Sequence, residues 1–250
     1  MRISELLILL LVTLTVACSG KTAVKPPEKF DPEKTFASAN EKLGQKEYEQ
    51  ARASFLEVKN RDMTKKYAPL AQLKIADSYV QEEEFERAVS EYQKFLDAYP
   101  DNQYASYAQY QIAMVYFNQI ESSDRGYGGA AKALEEFEKL KKLFPRNPYK
   151  EDIELRIEKC RHTIAEYEFL VGEFYYKKAS YKAAIGRFEN LLKQYPDYKG
   201  EPDVLFLTGI SYKNLGQKES ASRYLSRLIE KYPDTGLAKK AKKALASLKP

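Results

Sequence analysis

One short sequence phrase recurs along this chain, as in AAIGRFENLLKQYPDYKG at 183–200 and ESASRYLSRLIEKYPDTG at 219–236. Each copy opens on a small residue, with an aromatic residue or another apolar residue four and seven positions later. The opening residues are Ala51, Ala88, Ala133, Ala184 and Ala221. Because positions 0, 4 and 7 share one face of a helix, each phrase predicts an amphipathic helix.

A proline ends four of these helices. The four prolines, each twelve residues after the opening Ala, are Pro100, Pro145, Pro196 and Pro233. Proline cannot continue a helix, and it pushes the residue before it out of the helical region. The predicted helices therefore have a fixed end.

A second helical pattern precedes each phrase. In four units a small residue stands twelve positions before the opening Ala, namely Ala39, Ala76, Gly172 and Gly209. Two small residues that face one another let two helices pack closely, so each unit is predicted to be an antiparallel pair. One pair cannot bury its own apolar face, and this explains why the unit is repeated.

The pattern of small, aromatic and terminal Pro positions resembles the tetratricopeptide repeat. That resemblance implies an all-α solenoid of five helix-hairpin units. The first unit lacks the final Pro, and the third carries an insertion at 118–130 between its helices.

A long helix is predicted between units 3 and 4. Its apolar residues recur in steps of three and four: Ile153, Ile157, Cys160, Ile164, Tyr167, Val171 and Phe174. Asn147 suits the N-cap and Pro148 the first helical position. A helix of roughly 30 residues, about 45 Å long, would join an N-terminal half, 31–147, to a C-terminal half, 148–250.

The segment after Pro233 is predicted to be a capping helix with lysines on its outer side.

The chain begins with a short apolar segment that ends in a cysteine. The apolar run stops before Cys18, and a polar, Pro-containing stretch follows it. This run is too short to span a bilayer and fits a signal peptide, predicted as 1–17. The site resembles a bacterial lipobox, although Thr15 stands where Leu is usual. The resemblance implies acylation of Cys18 and a flexible tether at 18–30. The alternative is an ordinary signal peptide with an incidental cysteine.

No catalytic set emerges from the 250 residues. The single histidine, His162, lies two positions from Cys160, so on a helix their side chains diverge. The stretch DRGYGGA at 124–130 lacks a phosphate-binding motif. Acids and bases are interleaved around a net charge of +5, which does not indicate nucleic-acid binding. We therefore predict a protein that is not an enzyme and has no cofactor or metal beyond the acyl group on Cys18. The lysines of the last helix are either solvated or face an acidic partner or a membrane surface.

The combination of features resembles one family more closely than the repeat alone does. Five units, the long helix, the stretch at 165–197 and the lipobox resemble the tetratricopeptide-repeat lipoproteins of the outer-membrane β-barrel assembly machinery. The resemblance implies a lipid-anchored scaffold on the periplasmic face of the outer membrane, monomeric within a hetero-complex. Its implied partners are the periplasmic domains of the barrel-forming protein, other assembly lipoproteins and unfolded outer-membrane proteins.

The resemblance also implies site residues. Arg187 would form a salt bridge to the barrel-forming protein, with a solvated arginine as the alternative. A substrate groove in the N-terminal half would use Tyr48, Tyr79, Phe85 and Tyr116, each of which also suits core packing. Another periplasmic repeat lipoprotein, in envelope division or peptidoglycan coordination, is the alternative function.

Overall fold

The computed structural model describes residues 29–120 and 127–248, which contain eleven helices and no strand. The helices are α1 (Pro32–Gly44), α2 (Tyr48–Arg61), α3 (Ala68–Gln81), α4 (Phe85–Ala98), α5 (Ala105–Asn118), α6 (Gly128–Leu143), α7 (Lys150–Lys177), α8 (Tyr181–Gln194), α9 (Glu201–Asn214), α10 (Lys218–Lys231) and α11 (Gly236–Ala246). The signal segment 1–17, Cys18, most of the tether 18–30 and part of the insertion 118–130 lie outside the described residues.

The helices from Pro32 onward form one compact unit of stacked hairpins. Helices α1 to α10 pair in sequence as five hairpins, each hairpin packs on the next, and α11 packs on α10 and α9. All five opening alanines are fully buried. The predicted all-α, tetratricopeptide-type solenoid with a capping helix is confirmed. The division at 147/148 stays a prediction.

The core is shared between neighbouring hairpins. One cluster combines α3, α4 and α5, a second combines α5, α6 and α7, and two more continue to α11. Each cluster draws on at least three consecutive helices, so from the second hairpin onward each core is completed by the next hairpin or by α11. This is the physical reason for the repeated phrase.

The prolines end the helices as predicted. Helices α4, α6, α8 and α10 each end two residues before their proline, and the intervening residue is an aromatic with non-helical backbone angles.

The small residues of the first helices pack differently from the prediction. A Cβ built on Gly172 would lie 2.4 Å from the Phe188 ring, and one on Gly209 would lie 2.7 Å from Leu225. The small residue therefore makes room for the side chain four positions after the opening Ala, rather than for that Ala.

Helix α7 corrects two further predictions. The helix begins at Lys150, so Asn147 is not its N-cap; the Asn147 side chain instead accepts a hydrogen bond from the backbone N–H of Tyr149 at 2.9 Å. The predicted apolar stripe is buried only as far as Ile164, and Phe174 is 55 % exposed. Beyond Ile164 the buried residues are Ala165, Glu168 and Gly172. A stripe of period 3.5 drifts around a helix of 3.6 residues per turn, so its later members leave the interface.

Candidate functional site

The four aromatic residues predicted for the N-terminal groove lie near hairpin turns. Tyr48 and Phe85 are the first residues of α2 and α4, while Tyr79 and Tyr116 lie in the last turns of α3 and α5. Each side chain is partly buried, which leaves one part for packing and one for solvent. The structure brings only two of the four into a common groove.

Phe85 and Tyr116 line a groove of about 350 Å³ between the second and third hairpins. The start of α6 forms the other wall. A Cβ on Gly129 would lie 3.2 Å from the carbonyl oxygen of Gln119, so glycine permits this close approach. The Lys132 ammonium lies 5.2 Å from the centroid of the Tyr116 ring, within cation–π range. The groove thus combines two aromatic side chains with one cation.

Acidic residues surround the phenol at this groove. Burial raises the pKa of Tyr116, and Glu136, Glu86 and Glu135 raise it further, so its hydroxyl stays neutral. Glu86 also lines the groove, opposite in charge to Lys132. The groove therefore has aromatic side chains and charges of both signs on its walls.

Tyr79 and Tyr48 lie apart from this groove. The Tyr79 ring has the Arg52 guanidinium 4.3 Å and the Arg87 guanidinium 5.8 Å from its centroid. Arg52 also donates to Glu82 at 2.6 Å, which fixes it over the ring. One face of Tyr79 is therefore covered from within the chain, and Tyr48 is not among the groove-lining residues.

Arg187 lies on α8, where it forms an ion pair within the chain. Its Nη1 donates to Oε2 of Glu168 on α7 at 3.0 Å. The Glu168 side chain is 10 % exposed and the Arg187 side chain 45 % exposed. One end of the guanidinium thus neutralises a buried carboxylate while the rest remains accessible to a partner.

The same inter-helix position is polar in the two preceding hairpins. There Gln72 donates from Nε2 to Oε2 of Glu91 at 2.8 Å, and Gln109 donates to Glu136 at 2.6 Å. In each hairpin the first residue lies four positions before the small residue of the first helix, and the second lies three after the opening Ala. We call this position the polar seam. Its polarity reverses in the fourth hairpin, where the first helix supplies the acceptor and the second helix the cation.

Sequence reasoning missed the partners in this seam. Neither the pairing of Glu168 with Arg187 nor the position of Lys132 at the groove was predicted from the sequence. The available signal was the shared separation of 19 residues, which joins Gln72 to Glu91 and Glu168 to Arg187.

Seven tyrosine hydroxyls donate to carboxylates within the described part of the fold. The pairs are Tyr92 and Tyr107 with Asp77, Tyr110 with Asp152, Tyr198 with Glu166, Tyr212 and Tyr224 with Glu189, and Tyr232 with Glu201. Burial and the Asp152 carboxylate raise the pKa of Tyr110 to about 12, so it remains a donor. These tyrosines have a structural role.

The residues considered for chemistry do not form a constellation. Cys160 is fully buried, and burial raises the pKa of its thiol to about 11, which disfavours the reactive thiolate. His162 is exposed. Within 29–120 and 127–248 no group of His, Cys, Asp or Glu could hold a metal ion. None of the helices in these ranges is long and apolar enough to cross a membrane.

Comparison with known proteins gives a family match over most of the chain. The family model YfiO, described as outer membrane lipoprotein, matches residues 28–224. The assembly factor BamD of Neisseria meningitidis is 25 % identical over 232 residues, covering 86 % of this chain and 87 % of that protein. BamD of Vibrio cholerae is 31 % identical over 104 residues, 42 % of this chain and 43 % of that protein. The chain therefore spans less than half of the Vibrio relative.

A solved structure resembles the hairpin stack at low similarity. The TPR2AB domain of yeast Sti1 in complex with pHSP90 covers 87 % of this chain, at 16 % identity and a TM-score of 0.47.

Proposed function

The chain belongs to the YfiO family of outer membrane lipoproteins, and we propose that it is a non-enzymatic, lipid-anchored scaffold of outer-membrane protein assembly. In this proposal it sits on the periplasmic face of the outer membrane. It docks on the barrel-forming assembly protein, works with other assembly lipoproteins and helps to deliver unfolded outer-membrane proteins. The family match over residues 28–224 carries the proposal.

The proposed anchor is an acyl group on Cys18. Its support is the apolar segment that ends at this cysteine, together with the family description. Each buried CH₂ of an acyl chain contributes about 0.8 kcal/mol, so several chains hold a protein firmly at a bilayer.

Replacing Cys18 by serine in the exported chain tests the anchor. The wild type should sediment with membranes and gain the mass of an acylated N-terminus in mass spectrometry. The Cys18→Ser chain should lose that mass and appear in the soluble fraction. An unmodified Cys18 in the wild type would contradict the proposal.

The proposed contact with the barrel-forming protein uses the exposed part of Arg187. Support comes from its geometry, because a guanidinium held at one end by Glu168 is oriented and still has free N–H groups. A carboxylate on the partner would complete the pair. Arg187→Glu alone is a poor test because it would place a second carboxylate beside Glu168.

A sharper test changes both residues of the polar seam in the fourth hairpin. The double variant Glu168→Gln/Arg187→Glu rebuilds the Gln–Glu pair of the preceding hairpins, which keeps the seam satisfied and removes the exposed cation. Capture of the barrel-forming protein from detergent-solubilised membranes should fall about tenfold or more, because a charged partner is lost.

Arg227→Gln is the matched control. Arg227 is 49 % exposed and also donates to a buried carboxylate, Glu201, at 2.5 Å. This variant should capture the barrel-forming protein as the wild type does. Equal capture by the Glu168→Gln/Arg187→Glu variant and the wild type would show that Arg187 does not contribute to the interface.

The proposed substrate groove is the one lined by Phe85 and Tyr116. A photo-crosslinking residue at Tyr116 should trap unfolded outer-membrane proteins during their assembly. The same residue at Leu56, which is 46 % exposed and lies outside the groove, is the control. Equal crosslinking at both positions would contradict a specific groove.

A further inference from the structure

The capping helix α11 presents a face made of lysine. Its sequence, GLAKKAKKALA, contains four lysines and no acidic residue. Lys239, Lys240, Lys242 and Lys243 are all exposed. At 100° per residue these four positions fall within one half of the helix circumference. We call them the lysine face.

The opposite side of α11 is buried, which fixes the direction of the lysine face. Ala238 and Ala241 are fully buried, and Leu237 and Leu245 pack against the cluster formed with α9 and α10. The Thr235 hydroxyl caps the start of the helix by accepting from the N–H of Ala238 at 3.1 Å. The lysine ammonium groups therefore project from an ordered surface.

The lysine face differs from four lysines elsewhere in the chain in having no counter-charges. Lys74, Lys94, Lys139 and Lys177 each form an ion pair with an acid three or four positions away. Among the described residues none of the four lysines of α11 has such a partner. Local positive charge is thus concentrated here, although the net charge of the chain is only +5.

The form of this surface favours a membrane over an acidic protein segment. The four lysines occupy the outer side of a single helix, and Lys242 also borders a groove with Lys218 and Glu219. Flexible ammonium groups act as point charges, whereas recognition of one carboxylate at a defined place commonly uses arginine. A diffuse array of lysines suits a diffuse array of lipid phosphates.

We propose that the lysine face of α11 binds the surface of an anionic phospholipid membrane and so holds the solenoid against it. The inference rests on the proposed location at the outer membrane and adds a second contact to the acyl anchor. Helix α11 lies beyond residues 28–224, the part of the chain that matches the family model.

The test measures vesicle binding of the chain from Ser19 onward, which lacks the predicted anchor but keeps the whole compact unit. Vesicles of phosphatidylcholine containing phosphatidylglycerol should bind it, and vesicles of phosphatidylcholine alone should not. Each lysine near an anionic surface contributes about fivefold in affinity, so changing all four to glutamine should weaken binding by about 100-fold or more. Raising the salt to about 0.5 M should abolish most of the binding.

A second quadruple variant controls for net charge. Changing Lys74, Lys94, Lys139 and Lys177 to glutamine removes the same four charges from paired positions, and it should bind vesicles as the wild type does. Circular dichroism checks that both variants remain helical.

Equal losses in the two variants, or no binding by the wild type, would overturn the proposal. So would a lysine face that is required for capture of an acidic protein but not for vesicle binding. Capture of the barrel-forming protein is measured separately, so the proposed function can stand if this contact fails.

Discussion

The N-terminal and C-terminal halves use the same hairpin but close it with different chemistry. In the second and third hairpins the first helix carries an alanine, Ala76 or Ala113, and the polar seam is a glutamine–glutamate pair. In the fourth hairpin the first helix carries Gly172 and the seam is the Glu168–Arg187 ion pair.

This difference has a consequence for both packing and surface. Where the first helix carries Gly172 or Gly209, the side chain of Phe188 or Leu225 on the second helix occupies the space that a Cβ would need. Where the seam carries arginine, a cation remains accessible beside a buried acid. In the second and third hairpins the seam side chains pair with one another, whereas in the fourth hairpin part of the Arg187 guanidinium stays exposed.

The largest expected effect comes from giving the C-terminal half the residue of the N-terminal half. In Gly172→Ala the new Cβ would lie 2.4 Å from the fully buried Phe188 ring. Overpacking costs about 1–3 kcal/mol, and a contact this short places Gly172→Ala at the upper end of that range. The higher helix propensity of alanine offsets about 1 kcal/mol of this cost. We expect a net loss of about 2 kcal/mol in the free energy of unfolding, measured by urea denaturation.

The double variant Gly172→Ala/Phe188→Leu distinguishes a steric clash from a backbone effect. The smaller Leu side chain should recover part of the loss caused by Gly172→Ala, because Phe188→Leu opens the space that the methyl needs. Strictly additive losses would show that Gly172 and Phe188 do not compete for the same space.

The buried acid of the fifth hairpin provides the next test, through pH. Burial would raise the pKa of Glu201, but hydrogen bonds from Lys231, Tyr232 and Arg227 outweigh it, so the pKa lies below its ordinary value of 4.5. A carboxylate with a lowered pKa stabilises the fold above pH 4.5, and this stability is lost as pH falls through the folded-state pKa.

Glu201→Gln should therefore cost about 2 kcal/mol at pH 7 and progressively less below pH 4.5, where the wild-type acid becomes protonated. Unfolding curves of both chains from neutral to acidic pH measure the difference. A difference that stays constant with pH would show that the ionised form of Glu201 contributes nothing to stability.

Exchanging the polarity of the seam tests the comparison directly. Arg187→Glu alone should destabilise the chain by about 2 kcal/mol, because it leaves Glu168 without its cation and adds a like charge. Glu168→Gln/Arg187→Glu should recover most of that loss, to within about 1 kcal/mol of the wild type. A double variant as unstable as the single one would mean that the fourth seam cannot accommodate the pair used by its neighbours.

The repeat could be predicted from sequence because its signal is local. The positions 0, 4 and 7 define a buried face whatever the neighbouring helix is, so all five opening alanines were predicted correctly. The drift of the α7 stripe away from Phe174 could not be predicted in the same way. It depends on which helix packs alongside, and α7 changes its partner from α6 to α8 along its length.

Polar partners were the other part that sequence did not reveal. Asp62 replaces the missing proline between the first two hairpins, where its carboxylate accepts from the backbone N–H groups of Thr64, Tyr67 and Ala68. Its pKa is lowered because these hydrogen bonds, with that of the Thr64 hydroxyl, outweigh the effect of burial. One aspartate in a polar segment gives no such signal, because its partners are defined only by the folded turn. The groove residues Phe85 and Tyr116 were named from the resemblance, and only the structure places them together.

The smallest expected effect concerns the turn inside each hairpin. Lys46, Glu83, Ala179 and Gly216 each stand five residues before an opening Ala, and all have positive φ. Of these four residues only Gly216 is a glycine, the residue that adopts this conformation without steric cost. Ala179→Gly should stabilise the chain by about 0.5–1 kcal/mol, and Gly216→Ala should destabilise it by a similar amount. Thermal unfolding of both variants checks the pair, and shifts of the same sign would show that something other than the backbone conformation decides the stability of these turns.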